Sequence, residues 1–171
     1  MAKKRLRAAQ GIEAACILFQ LNSKEEDILR LATEAGLPAE TLPPADKAML
    51  CLEWQAFTHA VVTSGLMQYA PNSVLVGYLR ETGNLLAQTR TGIPQMAQAD
   101  FVDGPFAAHM ALLGHGRQAE CPTLFCRRLA EIPHMATAAY DKHVEARLAA
   151  LMAMVISAVW DKLDQYEILA D

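Results

Sequence analysis

Apolar residues recur at three- and four-residue intervals through most of this chain, and no stretch shows a convincing alternation of period two. The helical period puts one apolar face on each segment, whereas alternation would mark half-buried strands. The expected fold is therefore all-α: a single-domain helical bundle of six or seven helices over residues 1–171, with a long C-terminal helix as its spine. Alanine, the best helix former, far outnumbers valine and isoleucine together, which strengthens the same expectation.

Breakers divide the pattern. A first helix is predicted over residues 2–21, where Ala8, Ile12, Ala15, Cys16 and Phe19 share a face. Ser23 followed by Glu26 reads as a capping box, and Gly36 as the left-handed residue that stops the short helix between them. Pro44 suits a first helical position and Pro71 cannot continue a helix, so a long helix is expected over 45–70. Glu53 is the only formally charged residue from Ala48 to Tyr69, which predicts that this helix is central.

Asn72 or Ser73 caps the next helix, which runs to about Arg90 before Gly92 and Pro94. Glycines and prolines punctuate 93–133, where two or three short helices with irregular joints are expected. From His134 to Leu169 the stripe Val144, Leu148, Leu151, Val155, Val159, Leu163 and Tyr166 predicts one continuous helix. Its apolar centre, Leu148 to Trp160, would be only about 20 Å long, short of the ~30 Å hydrocarbon core, and is read as buried rather than as a membrane span.

Composition adds constraints on partners. A net charge of −4 and a pI near 5.7 lack the basic footprint of nucleic-acid binding. The basic start, Lys3 to Arg7, is followed by an apolar run that Glu13 interrupts, and no small-residue cleavage site follows. Four cysteines without compact zinc spacing suit a reducing compartment, so a cytoplasmic location is expected. With 53% hydrophobic and 20% charged residues, the chain holds more apolar surface than one subunit readily hides. A homodimer is the expected partner state, and another protein partner remains open.

Candidate chemistry is sparse. Glu53 has no partner at helical spacing on its own helix, so it must pair across the bundle, with Arg80 as one option, or act as an acid, base or ligand. A carboxylate and histidine metal site would need Glu53 and His109 to converge with Glu13, Glu81 or His143. The single Glu-x-x-His, Glu131 to His134, straddles Pro133 and fits no continuous turn. Cys121 and Arg127 have the spacing of a phosphatase loop, yet Pro122 lacks an N–H and no strand precedes it. Cys121 before Pro122 instead suits a helix N-cap, where the dipole lowers a thiol pKa. His109, Gly114, His115 and Gly116 lie near one another in the irregular region and suggest a ligand site or a pH-sensitive joint.

An apolar ligand would be lined by Trp54, Phe57, Met67, Tyr78 and Met152 and oriented by Glu53 or Arg80. These readings name no cofactor and no metal. The expectation is a non-enzymatic assembly or interaction protein, with hydrophobic-ligand binding and a carboxylate–histidine metal enzyme as alternatives.

Overall fold

Prolines mark both ends of the most buried helix. Residues 2–89 and 98–171 are described by a computed structural model. In it the helix here called α3 spans Pro44–Tyr69, with Pro44 in its first turn and Ala70 leaving it in extended backbone. From Leu50 to Leu66 every residue of α3 is buried except Gln55, which is half-buried. Such a helix needs neighbours on all sides. It has them in α1 (Ala8–Leu21), α2 (Glu25–Ala35), α4 (Asn72–Thr89), α6 (Ala107–Leu113), α7 (Cys121–Leu129) and α9 (Lys142–Asp164). Two single-turn pieces, α5 (Gln98–Phe101) and α8 (Ala136–Ala139), complete the described helices. The fold is all-α in its core, as the apolar period predicts. The expected end of α4 at Arg90 and the break at Gly92 and Pro94 lie outside the described residues.

Close helix crossings depend on small residues. A Cβ at Gly77 would collide with Ile12 where α4 crosses α1, and one at Gly65 would stand 2.8 Å from Leu163 and 2.9 Å from the Trp160 ring. Gly65 thus lets α9 approach α3, and there Trp160 Nε1 donates to the Val61 carbonyl at 3.0 Å.

Three sequence expectations are corrected. First, the opening helix begins at Ala8, because Lys4–Leu6 forms a strand, β1, parallel to β2 (Tyr166–Ile168) with Lys4 opposite Tyr166 and Leu6 opposite Ile168. Leu6 and Ile168 are buried, while Lys3 meets Asp164 at 2.7 Å and Arg5 meets Glu167 at 2.8 Å. A three-residue strand is too short to show its period, and only the distant end of the chain supplies its partner. These ion pairs are exposed and screened by solvent, so they add little to stability.

Second, the C-terminal helix does not run unbroken from His134. His134 has φ of 69° after Pro133, and Asp141 then caps α9, its carboxylate accepting from the His143 N–H at 2.8 Å. Asp141 is a favoured cap residue, so the restart has a local cause.

Third, Ser23 does not cap α2. Lys24 occupies that position, and the Ser23 hydroxyl is buried without a hydrogen-bond partner among the described residues. The carbonyls of Asn22 and Ser23 instead accept from Trp54 Nε1 at 3.0 Å and Gln55 Nε2 at 3.1 Å, so docking onto α3 fixes this turn. Glu25, Glu26 and Asp27 still complement the positive end of the α2 dipole. Gly36 ends α2 in the left-handed conformation, as expected.

Candidate functional site

Two places in the molecule could carry chemistry or recognition: a polar cluster buried around α3, and the outer face of α9. In the first, Glu53 is 8% exposed and points to α7, where Arg128 donates through Nε at 2.7 Å and Nη2 at 3.0 Å. The two-pronged geometry satisfies both carboxylate oxygens. The partner is Arg128, 75 positions away, and not Arg80, which is exposed on α4. Glu53 is thereby held as half of an ion pair.

His109, on α6, is fully buried with its ring edge-on to Phe57 at 5.4 Å, and neither ring nitrogen has a hydrogen-bond partner among the described residues. Burial, together with the nearby Arg128 charge, depresses its pKa to about 4. Just before α6 the chain takes a π-helical turn, Val102–Phe106, containing Pro105. An unpaired buried imidazole is costly, and π turns are rare outside functional or strained segments.

His59 is a buried polar residue that the sequence reading passed over. Its Nδ1 lies 2.9 Å from Tyr78 Oη, and its ring packs against Phe106 at 4.5 Å and Phe19 at 5.7 Å. Burial lowers the His59 pKa to about 4 and raises that of Tyr78. The signal available was a histidine inside the most apolar helical run of the chain. Tyr78 is fully buried in this pairing.

Trp54 and Phe57 belong to the same packed interior. Their rings lie 5.3 Å apart and Trp54 meets Phe125 at 5.7 Å, so they fill the core that was expected to open around a ligand. Met67 is 57% exposed on α3, far from that role.

The reactive-thiol expectation is reversed. Glu120 is the cap, Cys121 is the first residue of α7 and fully buried, and burial pushes its thiol up to about 11. Apolar burial outweighs the helix dipole here. His115 is exposed at the end of α6. Among the described residues no three His, Cys, Asp or Glu side chains converge as a metal centre would require.

The second place is α9. Val144, Leu148, Met152, Ile156, Val159 and Leu163 enter the core, one position out of step with part of the predicted stripe. The opposite side carries Ala146, Ala150, Ala153, Met154, Ser157 and Ala158, all exposed. An 18-residue window of α9 has a mean hydropathy of 1.4 yet only 28% of it is buried, and the helix is long and apolar enough to cross a membrane. The sequence reading of α9 as a buried helix thus holds for one face only. Beside this face runs a groove of about 500 Å³, walled by Ala153, Ile156 and Trp160 of α9 and by Tyr69 and Pro122 opposite.

These features define an α-helical bundle in which buried Glu53 and His59 are paired with Arg128 and Tyr78 and in which α9 leaves apolar surface uncovered. No family model, no curated protein and no solved structure matches the chain.

Proposed function

We propose that this bundle is a non-enzymatic assembly protein that acts in the cytoplasm by associating with itself through the outer face of α9. The observation that carries the reading is the mismatch on α9, a mean hydropathy of 1.4 against 28% burial. Exposed contiguous apolar surface of this kind marks protein or membrane contact sites. The interior supports the non-catalytic half of the reading. Glu53 is neutralised by Arg128, Cys121 is inert by burial, and His59 is tied to Tyr78.

Solution scattering with sedimentation velocity tests the proposal. A chain of 171 residues has a monomer radius of gyration of about 15 to 16 Å. Self-association gives a larger radius and twice the subunit mass at tens of micromolar. Ala153→Glu, which places a charge in the middle of the face, returns the monomer values while leaving helical content unchanged. A wild-type chain that stays at the monomer mass throughout that range refutes the proposal.

A further inference from the structure

We infer that two copies of this chain pair antiparallel along α9, with the two-fold axis at Met154. This rests on the self-association reading above and names its partner and register.

The uncovered face follows one side of the helix, with Ala146, Ala150, Ala153, Met154, Ser157 and Ala158 at three- and four-residue spacing. Met154, 67% exposed, is the one large apolar side chain at its middle. A charge closes each end of the face: Arg147 seven residues before Met154 and Asp161 seven residues after it. Both are exposed, and neither makes an ion pair or a side-chain hydrogen bond with any described residue, although Arg147 leans toward Gly36 at the end of α2. The two charges are separated by fourteen residues, about 21 Å of helix rise.

That symmetry is what a second copy matches. In an antiparallel pair centred on Met154, each Arg147 faces the other copy's Asp161 and each Ala150 faces Ala158. One self-complementary patch therefore makes both halves of the contact, as a two-fold interface requires. A parallel pair in the same register would set Arg147 against Arg147 and Asp161 against Asp161, which like-charge repulsion disfavours. The small side chains between the charged ends let the helix axes approach at the near end of the usual 8–10 Å range. The groove widens the apolar surface beyond α9, onto Tyr69 and Pro122.

A membrane surface fits the same face poorly. An interfacial helix carries basic residues along its flanks and large aromatic or aliphatic groups at its centre. Here the centre is alanine and serine around one methionine, Asp161 lies in the face, and the chain carries a net charge of −4.

Charge exchange on the full chain decides it. Arg147→Asp and Asp161→Arg are made singly and together, and the dimer dissociation constant is measured by sedimentation at 0.1 M salt. Each single substitution opposes like charges at both ends of the pair and is expected to raise the constant at least tenfold. The double variant restores both attractions, reversed, and is expected to return within about threefold of wild type. Circular dichroism and thermal melts of each variant exclude misfolding as the cause. A dimer equally strong in all three variants overturns the antiparallel register while leaving self-association intact. A wild-type monomer overturns both, as does a monomer that floats with 4:1 phosphatidylcholine–phosphatidylserine vesicles, which assigns the face to lipid.

Discussion

Two long helices of this protein solve opposite problems with similar sequence. α3 spans Pro44–Tyr69 and α9 spans Lys142–Asp164; both are rich in alanine, valine, leucine and methionine. α3 is enclosed by six other helices, whereas α9 buries one stripe and leaves the other to solvent. Composition alone does not separate them. What separates them is how many neighbours surround each: helices before and after α3 in the chain wrap it, while α9 packs against its neighbours on one side only. In α3 an apolar residue contributes to stability, and on the outer side of α9 the same residue is available to a second molecule.

A truncation on each helix gives the largest difference between α3 and α9. Phe57→Ala, deep in α3, should cost about 3–5 kcal/mol and lower the melting temperature by roughly 10 °C or more. Met154→Ala should leave the melting temperature of dilute monomer within about 2 °C and alter only the association constant. A large thermal loss from Met154→Ala in dilute protein would mean that the outer face of α9 is part of the core.

Acid should next act on the interior of α3 and α6. His59 and His109 have folded pKa values of about 4, below the unfolded value of about 6.5. Between those values the unfolded chain binds more protons, so stability falls as pH drops through the window from about 6.5 to about 4 and is unaffected by these groups above it. At pH 5 the loss should be roughly 2 kcal/mol per histidine, seen as a lower urea midpoint than at pH 7. His109→Leu should remove about half of that pH dependence. A midpoint that does not move between pH 7 and pH 5 contradicts the buried neutral imidazoles.

Smaller effects sharpen the picture of the polar cluster. Glu53→Gln leaves the Arg128 guanidinium without its counter-charge and should cost about 2–3 kcal/mol, less than a fully buried pair because Arg128 reaches solvent. At pH 7, His109→Leu removes two unpaired ring nitrogens and should be neutral or stabilising by about 1 kcal/mol, read from urea unfolding. A clear loss of stability there would show that His109 has a bonding partner in solution.

Local signals made much of the fold legible. The start of α3 at Pro44, its end before Pro71, the stop of α2 at Gly36 and the central position of α3 all follow from residues within one or two turns. The candidate site was less so, because its decisive features are contacts across the chain. Glu53 was visible as an isolated carboxylate, but Arg128 is 75 positions away and nothing local connects them. His59 was overlooked although it lies on the same apolar helix, since a buried histidine and a surface one look alike until a partner such as Tyr78 is known. The α9 stripe was read nearly in phase, yet periodicity cannot show whether the opposite, alanine-rich side will be covered.

The ribbon between Lys4–Leu6 and Tyr166–Ile168 works as a clasp. Closing so long a loop carries an entropic cost of about 4–5 kcal/mol, which three backbone-paired residues cannot offset unless the helices between them are already packed. The clasp should therefore be the last piece to fasten and the first to open, reporting through the amide exchange of Lys4 and Leu169, whose N–H groups donate to the Gln165 and Leu6 carbonyls, whether α1 and α9 are still docked. In the antiparallel pair, the far end of α9 would be braced by a segment from the opposite extremity of the sequence, so that loosening Lys4 to Leu6 would weaken association without touching a single residue of the contact.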